Sequence, residues 1–116
     1  MNVLVICQGP AYGDERSYNG LRLPGALAKR DGTDVKVFLI GDGVTCAVAG
    51  QKVPDGYYHL DRMITAAGHH DTEIGCCATC LDARAITDDQ LTAPAHRATL
   101  EDLADWVLWA DKTVTF

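Results

Sequence analysis

The residues of this chain best suited to chemistry are the two thiols of Cys77-Ala78-Thr79-Cys80. A helical turn places side chains three apart on one side, so both sulfurs would face the same space. A thiolate with a neighbouring thiol can take up sulfane sulfur as a persulfide and pass it on, or close a reversible disulfide. Arg84 lies four residues beyond Cys80 and is placed to add positive potential, which Asp82 partly offsets. The plainer reading is a pair of buried structural cysteines, since free Cys is among the most buried residue types. Polar flanks and a position at the end of a strand count against that burial. A zinc site would need four ligands. No second Cys-x-x-Cys is present, and neither His69-His70 nor His96 has a recognised spacing. No metal or other cofactor is expected. A thioredoxin-like oxidoreductase is allowed by the Cys-x-x-Cys pair, but the Trp-Cys start and the cis-Pro setting expected of that family are missing.

The other thiols read as packing. Cys76 neighbours Cys77, and alternation along a strand turns it to the opposite face. Cys7 sits in an apolar strand, and Cys46, on the loop after the second strand, reads as a small packed residue. Gly9-x-x-x-Gly13 resembles a phosphate cradle only in outline. It lacks the Lys-Ser/Thr pair of a P-loop and the Gly-x-Gly-x-x-Gly spacing of a dinucleotide site, so a strand-to-helix turn is the reading adopted. Asp42 after Gly41 is a candidate ligand, or a cap for the next helix.

The elements that must position these residues alternate. Val3 to Ile6 and Val35 to Ile40 are continuous apolar runs, as in parallel strands covered on both faces. Between them Asp14 or Ser17 would cap a helix carrying Leu21, Leu23, Ala26 and Leu27, which Pro24 should kink or interrupt. Val44 to Ala49 reads as a short helical piece stopped by Gly50. Leu60, Met63, Ile64 and Ala67 follow at helical spacing, and Glu73 to Cys77 is a third strand. A polar stretch runs to His96, and Thr99 opens the last helix, with Leu100, Leu103, Val107 and Ala110 on its inner face. Of Trp106 and Trp109, one should be core and the other partner surface. The four histidines, His59, His69, His70 and His96, read as surface or helix-end residues. Lys112 to Phe116 closes the chain as a strand. Connections too long for hairpins make this an α/β chain with a parallel sheet between helical layers. Sites in such sheets form beyond the carboxyl ends of the strands. Gly9 to Gly13, Gly41 to Cys46 and Cys77 to Arg84 would all meet there.

Composition sets the limits. With 116 residues, 47% hydrophobic and 22% charged, the chain suits one globular domain over residues 1–116. No apolar run approaches the roughly 20 residues of a membrane span. Met1 to Cys7 has no signal-peptide pattern, so a cytoplasmic protein is expected. A net charge of -6 with scattered Lys and Arg argues against nucleic acid as a partner. The odd number of cysteines, five, fits a reducing compartment better than a disulfide framework.

Taken together, several segments resemble the DsrE/DsrF-like sulfur-relay family, most closely its YchN-like branch. They are Gly9-Pro10-Ala11-Tyr12-Gly13, Leu21-Arg22-Leu23, Phe38 to Thr45, Gly50-Gln51-Lys52, Cys77 to Arg84, and Ala110 to Phe116. The resemblance implies a flavodoxin-like three-layer sandwich with a mainly parallel sheet of about five strands, assembled as a homohexamer. It implies sulfur handling at Cys77, with Cys80 as the second cysteine and Tyr12, Gly13, Asp42 and Arg84 in support. It also implies protein partners as sulfur donor and acceptor. Two positions depart from the family pattern: Ala85 stands where Gly usually follows the arginine, and Cys76 is an extra thiol.

Overall fold

A computed structural model describes residues 1–116. Five strands, β1 (Asn2–Cys7), β2 (Asp34–Leu39), β3 (Glu73–Cys77), β4 (His96–Ala98) and β5 (Lys112–Thr115), form one sheet in the order β4-β3-β2-β1-β5. Every pairing is parallel. The helices are α1 (Arg16–Leu27), α2 (Leu60–Gly68), α3 (Ala78–Ala83) and α4 (Leu100–Trp109). No helix is long and apolar enough to cross a membrane.

Side-chain alternation divides the core into two layers. Val3, Val5 and Cys7 share one face with Val37, Leu39, Ile74 and Cys76, all buried beneath α1 and α2. Leu4, Phe38 and Gly75 belong to the other, where Trp106 of α4 meets Phe38 edge-on with ring centroids 5.8 Å apart. Gly75 makes room for that indole. A Cβ there would lie 3.0 Å from both the Trp106 ring and the Ala98 methyl group. In the same layer Lys36 pairs with Glu73 at 3.0 Å and lies over both tryptophan rings, 4.8 and 5.0 Å from their centroids.

Several expectations need correction. Pro24 does not interrupt α1, which continues to Leu27. The Pro24 carbonyl still serves the helix, accepting from the Ala28 N–H at 2.8 Å. Neither Asp14 nor Ser17 is the N-cap, a position taken by Glu15. The Ser17 hydroxyl instead turns inward and donates to the Gly9 carbonyl at 2.6 Å, tying the strand-to-helix turn down. The piece after β2 is a 3-10 turn from Gly41 to Ala47, starting earlier than the apolar residues indicate. Gly43 allows this, because a Cβ there would lie 2.1 Å from the Cys7 carbonyl oxygen. The polar stretch ends in β4, His96–Ala98, which the sequence reading does not assign, so His96 is an exposed strand residue. On α4, Leu100 and Val107 face solvent, at 68% and 46% exposure. Trp106 is buried instead, with Leu103 and Ala110 packed beside it. Apolar spacing marks two candidate stripes on this helix, and the bulk of Trp106 over Gly75 selects between them. Trp109 is half-buried.

Candidate functional site: the thiol pair at the end of β3

Cys77 is the last residue of β3 and the N-cap of α3, so its thiol sits where the chain turns from strand to helix. Its neighbour Cys76 points into the other layer and is fully buried. Cys77 itself is 8% exposed and Cys80 is half-buried. The free N–H groups of the first helical turn are the chemical reason this position matters. Burial pushes the Cys77 thiol up. Hydrogen bonds from the Cys80 thiol, the Thr79 hydroxyl and the backbone N–H groups of Cys80 and Thr79 outweigh that and hold it below the ordinary thiol value. The Thr79 Oγ1 lies 3.4 Å from the Cys77 sulfur.

Cys80 behaves in the opposite sense. Burial and its hydrogen bond to Cys77 raise it, against the Gly41 N–H and the charge of Arg84, which lower it. Gly41 N–H donates to the Cys80 sulfur at 3.2 Å, which joins the loop after β2 to the turn after β3. The pair is therefore unequal: its surroundings favour deprotonation of Cys77 and oppose that of Cys80. The buried thiols form a contrast. Desolvation pushes Cys7 up to about 12, Cys46 to about 11 and Cys76 to about 12, so none is nucleophilic near neutrality.

Of the supporting residues named from the resemblance, Asp42 and Arg84 reach the pair. The Arg84 guanidinium bonds Asp42 Oδ1 at 2.7 and 3.2 Å and donates to the Cys80 carbonyl at 3.0 Å. Asp42 is thus an ion-pair partner rather than the cap or ligand considered above, and the positive charge of Arg84 is largely matched. Tyr12 is directed elsewhere. Its hydroxyl donates to Gln51 Oε1 at 2.7 Å, accepts from Leu60 N–H at 3.4 Å, and its ring stacks on Tyr58. Gly13 is exposed in the turn before α1, with φ +106°.

Three contributors were not singled out from the sequence. Thr79 lies inside the Cys-x-x-Cys segment, where its hydroxyl could have been noticed. Gly41 acts through its backbone, and its only sequence signal is a glycine at the end of a strand. Arg97 gives no sequence signal. It reaches across from β4 to donate to the Ala78 carbonyl at 3.2 Å and Asp82 at 2.9 Å, securing both ends of α3. An apolar cavity of about 370 Å³ lies beside the pair at the carboxyl ends of β1, β2 and β5. Ile6, Ile40, Gly41 and Leu103 line it, with Gln8 and Thr115 at its polar margin.

An all-parallel α/β sheet with two unequal thiols at the end of its third strand defines the class of protein. The chain belongs to the DsrE/DsrF-like family, whose model matches residues 1–116. It is 35% identical to protein YchN of Escherichia coli (strain K12) over 115 residues, which cover 98% of this chain and 97% of that one. It is 33% identical over 113 residues to an uncharacterized protein of Methanopyrus kandleri, covering 97% of this chain and 91% of that one. The crystal structure of the Escherichia coli YchN protein superposes with a TM-score of 0.92 at 34% identity, covering 99% of this chain and 98% of that one. A protein of unknown function from Methanobacterium thermoautotrophicum shares the fold, with a TM-score of 0.74 at 10% identity and coverage of 99% and 97%. Membership of the DsrE/DsrF-like family suggests a sulfur-relay-related role.

Proposed function

We propose that this protein is a sulfur carrier in which Cys77 takes up sulfane sulfur as a persulfide and relays it. The observation that carries this reading is the inequality of the pair at the strand end: the surroundings of Cys77, with the Thr79 hydroxyl 3.4 Å from its sulfur, lower its pKa, while those of Cys80 raise it. In the loading step the Cys77 thiolate attacks the outer sulfur of a donor persulfide, R–S–SH. A Cys77 Sγ–S bond forms as the donor S–S bond breaks, and the donor leaves as R–S⁻ and takes a proton. Relay is the same exchange in reverse, with an acceptor thiolate attacking the outer sulfur and Cys77 leaving as thiolate. The stabilisation that favours the Cys77 thiolate also makes it a good leaving group, which suits a carrier.

The reading includes protein partners as donor and acceptor, a reducing cytoplasmic setting and assembly as a homohexamer. Support for self-association comes from α4 and β5, where Leu100, Val107, Leu108 and Val114 are exposed and the sheet edge is uncovered. Sedimentation velocity reads the oligomeric state.

The carrier role is tested by intact and peptide mass spectrometry after incubation with a protein persulfide donor. The expected result is one added sulfur on the peptide containing Cys77, absent in Cys77→Ser. No added sulfur, under conditions that load an established carrier, overturns the proposal. Loss of two hydrogens with no sulfur gained would instead favour a redox-sensing dithiol, the second reading that the closeness of Cys77 and Cys80 allows.

A further inference from the structure

The charged residues of the loops around the thiols are Asp14, Glu15, Arg16, Asp42, Asp82, Arg84, Asp88 and Asp89, and Arg97 reaches in from β4. Each guanidinium among them is already engaged. Arg16 bonds Asp14 Oδ2 at 2.9 and 3.2 Å. Arg97 divides its fork between Asp88 at 2.7 Å, Asp82 at 2.9 Å and the Ala78 carbonyl. Arg84 is held by Asp42 and by the Cys80 carbonyl. Three guanidinium groups therefore face four aspartates, in a chain of net charge -6.

A site that recruits small anions needs an unmatched cation or a bidentate arginine fork turned toward the ligand. Arg84 is the arginine nearest the pair, and it would meet that need if Asp42 were absent. The backbone that carries this carboxylate is tied to the pair, because the N–H of its neighbour Gly41 is bonded to the Cys80 sulfur. Asp42 thus stands one residue from a contact with the thiol pair itself.

We infer that the site selects by charge, with Asp42 as the specificity-determining residue. Donors and acceptors that are neutral or cationic around their reacting sulfur are admitted, and anionic small donors such as thiosulfate are disfavoured. The inference rests on the carrier reading for its biological meaning and is measured independently of it. Polypeptide segments with neutral or basic residues flanking the reacting cysteine are the substrate class that fits.

The test uses the full chain and three methanethiosulfonates that differ in charge: aminoethyl (cation), methyl (neutral) and sulfonatoethyl (anion). Each forms a disulfide with the thiolate and expels methanesulfinate, and peptide mass identifies modification at Cys77. Rates are taken relative to a free model thiol, at about 0.01 M and about 1 M salt, where screening lengths are roughly 30 and 3 Å. The expected order at low salt is cation, neutral, anion, with a spread of about tenfold that collapses at high salt. Asp42→Asn is expected to shrink the cation-to-anion ratio roughly fivefold by freeing Arg84, and Asp42→Glu to retain it. An anionic reagent as fast as the cationic one at low salt, or an unchanged ratio in Asp42→Asn, overturns the inference. Failure to load sulfur from any donor would remove the carrier reading and leave these ratios standing. Loading from thiosulfate as fast as from a neutral persulfide would keep the carrier and remove the selectivity.

Discussion

At the scale of single residues, the proposed carrier role turns on which of two similar thiols gives up its proton more readily. Cys77 is buried and Cys80 half-buried, both at the start of a short helix, and their environments push them apart. Hydrogen bonding from Cys80, from Thr79 and from the backbone of the turn lowers the Cys77 pKa, with Cys80 the largest of these contributions. Removing that donor with Cys80→Ala is expected to raise the Cys77 pKa, so its alkylation profile shifts to higher pH. Thr79→Val should shift it the same way through the lost hydroxyl. Rate against pH with iodoacetamide, followed on the Cys77 peptide, gives the midpoint directly. An unmoved midpoint in Cys80→Ala would mean that backbone N–H groups alone set the thiolate. The two cysteines were legible in the sequence because their types and spacing are the signal. The donors were not, because two are backbone groups, whose direction depends on the turn rather than on the side chain.

At the scale of elements, α3 is only six residues long, so its position depends on its ends. Arg97 holds its first turn, and its far end closes in a Schellman motif. Ile86 N–H bonds the Leu81 carbonyl at 3.0 Å and Ala85 N–H bonds the Asp82 carbonyl at 3.1 Å. The motif requires a left-handed residue between them, and Ala85 fills it with φ 55°. Here lies the physical meaning of Ala85 at a position where the resemblance implies Gly. An alanine in this region carries a Cβ penalty that glycine lacks. Ala85 is exposed, so its methyl group gives no packing in return. Ala85→Gly is expected to stabilise the protein by about 0.5–1 kcal/mol after the extra chain entropy of glycine is counted. A higher urea midpoint at unchanged slope would show it. A lower midpoint would mean that the αL cap is not formed in solution. The strands of the centre were readable because burial on both faces leaves continuous apolar runs. β4 was not, because His96-Arg97-Ala98 has no strand character of its own and is a strand only by pairing with β3 at Gly75, Cys76 and Cys77. On α4, Leu103 and Ala110 pack inward as their spacing implies, but Leu100 and Val107 do not, for a related reason: the deciding partner, Gly75, is distant in sequence and contributes an absence of side chain.

For the molecule as a whole, the unused thiols make a prediction that the reactive pair does not. Cys7, Cys46 and Cys76 lie in one layer of the core, and burial raises each from 9.0 to between about 11 and about 12. An unfolded chain releases these protons near 9.0, whereas the folded chain retains them. Below 9.0 both states are protonated and the three thiols leave stability independent of pH. Above it the folded state binds more protons, so stability falls as pH rises until the folded values are reached. Each thiol contributes about 1.4 kcal/mol per pH unit in that window, or roughly 4 kcal/mol per unit for three. Against the roughly 5–15 kcal/mol of a typical domain, such a slope unfolds the chain within a few pH units. Cys77 runs the other way: its lowered pKa favours the folded state as pH rises through the ordinary thiol range, and that gain is complete above 9.0. Urea denaturation between pH 9 and pH 11 under reducing conditions, compared between the parent chain and Cys46→Ala, isolates the contribution of one buried thiol. The variant is expected to lose stability at neutral pH through its lost packing, but to show a shallower alkaline slope by about 1.4 kcal/mol per pH unit. Equal slopes would mean that Cys46 titrates in the folded state as it does in the unfolded chain, and that this layer of the core admits water.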